Sequence, residues 1–192
     1  MLVKDAMSRN PITATPETTH RRAAELLREH SIHHLPVVDK QGALVGLISE
    51  EDLLAAQPSA ATTLSIYEIH SLLSKLEIRQ IMRHPVFTTT PDCPIEDAAQ
   101  QMDIQDVGCL PVMQDDRLVG IITDSDIFRI LAALMGCNMS GARFTLNVAN
   151  MPGVLASVAK IVADAGGNIV SVSAWHGGSN ETFLTIKEEG AN

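Results

Sequence analysis

The chain states one segment twice. Val3 to Ala56 is repeated by Ile78 to Leu131: Met7, Thr13, Thr15, Pro16, Ala23, Ala24, Leu35, Pro36 and Val37 recur 75 positions on as Met82, Thr88, Thr90, Pro91, Ala98, Ala99, Leu110, Pro111 and Val112. The offset then drops to 74, and Leu44, Val45, Gly46, Ile48 and Asp52 return as Leu118, Val119, Gly120, Ile122 and Asp126. The lost residue falls in a polar stretch between two apolar runs, where a turn tolerates a change of length. Each copy reads as a short strand, a helix, two strands and a helix. In the second copy Pro94 suits the first turn of a helix, and Glu96 and Asp97 complement its dipole. Leu110 to Met113 and Leu118 to Ile122 flank Asp115-Asp116-Arg117 as a hairpin.

Between the copies, Ile66, Ile69, Leu72, Leu73 and Leu76 form a helical stripe, expected to link the copies and pack on them. Gln57 to Thr63, just before it, is the expected flexible segment. The spacing sets domains at 1–56 and 78–135, a linker at 57–77 and a separate segment at 142–192.

With 45% hydrophobic residues, the 192-residue chain can bury a sizeable core. Its net charge of -9 argues against a phosphate-backbone binder, and 3% aromatics leaves little for stacking single-stranded nucleic acid. Cys93, Cys109 and Cys137 form no CxxC pair, so neither a disulfide framework nor a zinc site is indicated. No apolar run reaches the roughly 18 residues of a membrane span, and the N-terminus lacks a signal-peptide core. The expected setting is the reducing cytoplasm.

Ser31 to Asp39, Leu44 to Asp52 and their counterparts ending Thr123-Asp124-Ser125-Asp126 resemble the tandem CBS domain family, over about the first two thirds of the chain. The resemblance implies an α/β (α+β) pair of repeats packed about a pseudo-twofold axis. It also implies a regulatory module rather than an enzyme, with no catalytic cofactor, often dimeric, that takes AMP, ADP, ATP or S-adenosylmethionine between the copies. The helices around Ala23-Ala24-Leu27 and Ala98-Ala99-Met102 carry the small apolar residues expected of a homodimer contact.

Ser49-x-x-Asp52 and Thr123-x-x-Asp126 each lie where a strand hands over to a helix. The pattern reads as a capping box. It reads equally as a carboxylate for a ribose, with a hydroxyl and free N–H groups for a phosphate. In the family each site is shared crosswise. That implies Asp126, Thr123 and Ser125 working with Arg9, Ile32, His33 and His34, and Asp52 and Ser49 working with Arg83, His84, Val107, Gly108 and Cys109. Basic residues at this point reach the phosphates in family members that bind phosphorylated ligands, which implies His33 and His34 as hydrogen-bond donors to a phosphate; the second copy has Gly108 and Cys109 there instead. Arg9, Arg83 and His84 read either as ligand contacts or as solvated charges. Glu51 places an acid beside the first of these motifs, which makes the Asp126 site the expected better one.

Phe144 to Val148, Val154 to Ala165, Ile169 to Ala174 and Thr182 to Ile186 read as strand, helix, strand, strand. With Asn150-Met151-Pro152-Gly153-Val154-Leu155 at the first junction, the segment resembles part of an ACT domain, a ferredoxin-like fold that often binds amino acids. Gly153 reads as a tight turn or as room for a ligand. The whole arrangement resembles the bacterial acetoin-utilisation (AcuB) family, which implies a role in carbon metabolism. Two other readings stand beside it: a metal sensor or hydrolase built on His30, His33 and His34, and an interaction scaffold whose repeats bind nothing.

Overall fold

The computed structural model describes residues 1–58, 65–177 and 181–190. The chain divides into two compact units, Met1–Ile127 and Phe128–Asn192. Among the described residues no helix is long and apolar enough to cross a membrane.

In the first copy, α1 (His20–His30) begins where the Thr19 hydroxyl accepts the Arg22 N–H, and ends at Ser31 in the left-handed region. Its apolar positions Ala23 and Leu27 pack on Leu35 and Val37 of β2 (His34–Val38), Ile48 of β3 (Leu44–Ser49) and Leu53 of α2 (Glu50–Ala55). The second copy repeats this as α4 (Ile95–Gln105), β4 (Cys109–Gln114), β5 (Arg117–Thr123) and α5 (Asp124–Leu134). The change of offset is explained at the hairpins. Asp115 and Asp116 both have positive φ (49° and 59°) and form a two-residue turn between Gln114 and Arg117. In the first copy the longer turn is held by Asp39, whose Oδ1 accepts the N–H groups of Gln41 and Ala43, with Gly42 at φ 85°.

The copies exchange their leading segments. Val3, fully buried, opens a single helical turn; its N–H donates to the Cys93 carbonyl and that of Lys4 to the Pro91 carbonyl, both in the second copy. Ile78, also fully buried, does the same in the first copy: its N–H and that of Arg79 donate to Thr18 and Pro16. Burying an aliphatic side chain in the other copy's core stabilises each exchange by about 1.5–3 kcal/mol. Beyond these turns β1 (Ser8–Arg9) pairs antiparallel with β5, Ser8 opposite Ile121, and Arg83 makes the equivalent bridge to Leu47 of β3. The sheets are therefore β1-β5-β4 and β2-β3, the latter extended by Arg83. Gly46 and Gly120 permit the crossing, because a Cβ on Gly46 would collide with Met82 Sδ and one on Gly120 would lie 2.5 Å from Met7 Sδ.

Two expectations are corrected. The helix between the copies, α3 (Ile66–Leu73), stops short of Leu76. The Ser74 hydroxyl donates to the Ser71 carbonyl, competing with the helical ladder, while the Leu76 carbonyl accepts the His20 N–H at 2.7 Å. Of its stripe, Ile69, Leu73 and Leu76 are half-buried and Leu72 is exposed. The second correction concerns the small apolar residues assigned to a partner: Ala23, Leu27, Ala98 and Met102 are buried within the chain, while Ala99 is half-buried and Ala24 is exposed. Exposed apolar side chains lie instead at Leu54 of α2 and at Phe128 and Leu131 of α5. Of the expected flexible segment only Gln57 and Pro58 lie among the described residues.

In the second unit β6 (Ala142–Ala149), α6 (Val154–Asp164), β7 (Asn168–His176) and β8 (Glu181–Glu189) follow the expected order. The strand order is β6-β8-β7 with both pairings antiparallel, a split βαβ unit. Leu184, Ile186 and Val162 are its buried residues of greatest bulk. Gly153 sits at the start of α6 with φ 88°, and a Cβ there would meet nothing within 4 Å. Conformation, rather than lack of room, is what calls for glycine at that turn.

Candidate functional site

Because β1 of the first copy lies beside β5 of the second, the start of α5 faces the end of α1. Between them is a cleft of about 530 Å³ lined by Arg9, Ile32, His33 and His34 from one copy and Thr123, Ser125 and Asp126 from the other. Ile12, Ile32 and Ile121 supply apolar wall, and the α5 N-terminus supplies polar floor. The crosswise set expected around Asp126 is thus brought into one cavity.

The capping reading and the binding reading of the two motifs are compatible in space. Asp126 accepts the N–H and hydroxyl of Thr123 on one oxygen, Oδ2, at 3.0 and 2.8 Å, and the Asp126 N–H donates back to Thr123 Oγ1 at 3.3 Å. Asp52 accepts from Ser49 in the same way, again on Oδ2. A capping box therefore occupies one carboxylate oxygen in each copy.

At Asp52 the second oxygen meets a cation from the other copy's leading segment. Arg83 Nε donates to Oδ1 at 3.0 Å, and its Nη2 lies 3.8 Å from Glu51 Oε2. Burial pushes the Asp52 carboxyl up, but the hydrogen bonds from Ser49 and Arg83 outweigh it and hold the group below the usual carboxylate range. It is Arg83 that reaches Asp52; His84 is exposed to solvent.

His34 stands between the two motifs. Its ring lies beside the backbone of Gly108, where a Cβ would meet Nε2 at 3.4 Å, an ordinary packing distance. Burial lowers His34 below the ordinary histidine range, with His33 and Arg83 acting in the same direction against Asp124 and Asp52. Its counterpart Cys109 is buried, and desolvation, reinforced by Asp124 and opposed by Arg83, pushes the thiol up to about 12. A thiol so raised is an inert core residue rather than a nucleophile. His33 is exposed and its Nδ1 lies 2.9 Å from Glu50 Oε2. The three histidines of the metal reading all border the cleft, yet among the described residues no three His, Cys, Asp or Glu side chains are grouped to hold an ion.

Sequence reasoning missed Asp124, Ile12 and Ile121, which also line the cleft. Asp124 was legible as the residue inside the Thr-Asp-Ser-Asp run. Ile12 and Ile121 were not, since their approach depends on the exchange of leading segments. His20 was missed as well: it is buried in α1 with Nε2 2.8 Å from the Leu53 carbonyl, a structural tie to α2.

Comparison with known proteins places this geometry. The CBS domain model matches residues 3–59 and 78–133. A curated relative, L-aspartate semialdehyde sulfurtransferase of Methanocaldococcus jannaschii, is 36% identical over 130 residues, 67% of this chain but only 23% of that enzyme's length. Among solved structures, the CBS domain pair of protein MJ0100, in complex with 5′-methylthioadenosine and S-adenosyl-L-methionine, is 35% identical with a TM-score of 0.59, covering 69% of this chain and 97% of its own. A putative acetoin utilization protein from Vibrio cholerae gives 35% and 0.59, covering 72% of this chain and 95% of its own. CBSX2 in complex with AMP gives 30% and 0.56, covering 69% and 96%. The family model spans more than half of the sequence and both halves of the pseudo-symmetric unit: the chain belongs to the CBS domain family.

Proposed function

We propose that the protein is a regulatory sensor that binds an adenosyl ligand, AMP or a related nucleotide or S-adenosylmethionine, in the cleft of Asp126, and that it performs no catalysis itself. The observation that carries this reading is the cleft, in which apolar walls, a capped carboxylate and the chargeable side chains of Arg9, His33 and His34 come from two copies onto one cavity. Related CBS pairs crystallised with adenosyl compounds support the ligand class. A base fits between Ile12, Ile32 and Ile121, a ribose reaches Asp126, and a phosphate or other polar tail meets Thr123, Ser125 and the basic side chains. Calorimetric titration with AMP and with S-adenosylmethionine tests it. Asp126→Ala is expected to lose on the order of 1–3 kcal/mol of binding, more than Asp52→Ala. Equal losses, or no heat with either ligand, would sink the assignment.

The reading extends to assembly and context. The protein acts as a homodimer, with Leu54 of α2 and Phe128 and Leu131 of α5 as the apolar residues offered to the partner. The second unit acts as an ACT-like module, supported by its split βαβ order, and the process served is carbon metabolism in the cytoplasm, supported by the likeness to the acetoin utilization protein. A solution mass equal to the monomer at all concentrations would remove the dimer from this account.

A further inference from the structure

The repeat keeps the apolar character of one helix face and reverses its charge. In the first copy a groove of about 460 Å³ opens between α1 and α2, with Leu27, Ile32, Leu53 and Leu54 in its lining and Arg28 beside them. The offsets of 75 and 74 put Met102, Val107, Ile127 and Phe128 at the equivalent apolar positions of the second copy, and Asp103 at that of Arg28. Arg21, Arg22 and Ser31 likewise become Glu96, Asp97 and Asp106. These four carboxylates are exposed, α4 has no basic residue, and none of the four forms an ion pair among the described residues. Asp103 and Asp106 stand at the C-terminal end of α4, where the helix dipole favours a cation instead. The single base of α5, Arg129, is already engaged. On α1, Arg21 and Arg22 are held by Glu25 and Glu29, whereas Arg28 is exposed and makes no ion pair among the described residues.

We infer that the occupant of this face is a second copy of the chain set head to tail, the α1–α2 face of one protomer on the α4–α5 face of the other. This rests on the homodimer reading above and gives the dimer a direction. Aligning like copy with like brings Arg28 toward its own twofold mate and the acidic end of α4 toward another acidic end, and like charges so placed reject that alignment. The crossed alignment instead offers Arg28 to the partner's Asp103 and Asp106, does so at two identical contacts, and closes as a dimer. Shape agrees with charge: Phe128, exposed and larger than its equivalent Leu54, supplies apolar bulk for the partner's groove. Ser31, Ile32 and His33 line both the groove and the Asp126 cleft, so the partner seats against a wall of the ligand site.

The test uses the full chain. Sedimentation equilibrium of Arg28→Asp and of Asp103→Arg should each show a dimer weakened about tenfold, and the double variant Arg28→Asp/Asp103→Arg should recover most of the loss, because both contacts are then exchanged together. Circular dichroism and melting establish that each variant is folded. Direction is read separately by cross-linking with a short bismaleimide in a Cys137→Ser background, which removes the exposed native thiol. Ala24→Cys and Ala99→Cys occupy equivalent places on α1 and α4. Cross-linked dimer is expected when the two chains are mixed and from neither chain alone, with the background chain as control. Self-cross-linking of either single-cysteine chain, absence of the mixed product, or single charge reversals that leave the dimer unchanged would overturn the head-to-tail inference while leaving a dimer in place. A wild type that is monomeric at all concentrations would remove the dimer reading as well.

Discussion

His34 is neutral in the folded protein to a lower pH than in the unfolded chain, because burial opposes its charged form and only Asp124 and Asp52 favour it. A histidine with a depressed folded pKa makes the unfolded state bind more protons in the window between the two values. Stability then rises with pH through that window: it is fully present above the unfolded pKa and lost as pH falls below the ordinary histidine value toward the folded one. Melting temperatures measured from pH 7.5 down to 5 should fall more steeply for wild type than for His34→Gln, and parallel curves would show that another group carries the loss. Asp52 acts at lower pH. Its depressed pKa contributes stability present above the unfolded carboxylate value and lost as pH falls through the folded one, so the two effects separate on the pH axis. Neither shift is legible in the sequence. His34 is an ordinary strand residue until the fold buries it between Asp52 of its own copy and Asp124 of the other.

At the scale of elements, periodicity located nearly every strand and helix but not what each face meets. The spacing of Ala23 and Leu27 on α1, and of Ala98 and Met102 on α4, identifies an apolar helix face. It gives no means of telling a partner chain from the helix's own sheet, and the sheet is where these residues lie. The exchange of leading segments was hidden for a related reason: Val3 and Ile78 are single apolar residues in short turns, with no period to mark them. The aligned repeats do contain one clue to the crossing, since Gly46 and Gly120 stand opposite Met82 and Met7 in the same relation. Gly120→Ala places a methyl group 2.5 Å from Met7 Sδ and 3.1 Å from the Ser8 carbonyl oxygen. The thioether can move and the backbone cannot, so the expected cost is on the order of 1–3 kcal/mol with a widened cleft and weakened AMP binding. Adding Met7→Leu should recover little of either. Full recovery in that double variant would show that the clash is with the methionine alone, not with β1.

Across the molecule, the repeat announces the first unit and the ligand cleft within it, because every cleft residue belongs to Met1–Ile127. The second unit is smaller and has a thinner core, built around Leu184, Ile186 and Val162. A chain of two such units need not melt in one step. An adenosyl ligand that binds only the folded first unit stabilises that unit by about 2.7 kcal/mol at a hundredfold excess over its Kd. For a unit of this size the shift is roughly 10 °C. Scanning calorimetry of the full chain should therefore resolve two transitions, the second unit's at the lower temperature. AMP should raise only the upper one, and Asp126→Ala should abolish the rise without moving the lower. The same upper transition, with the same response to AMP, is expected from a fragment ending at residue 135. A single transition that AMP shifts as a whole would show instead that the two units unfold as one, and the fragment would then lose both its stability and its binding.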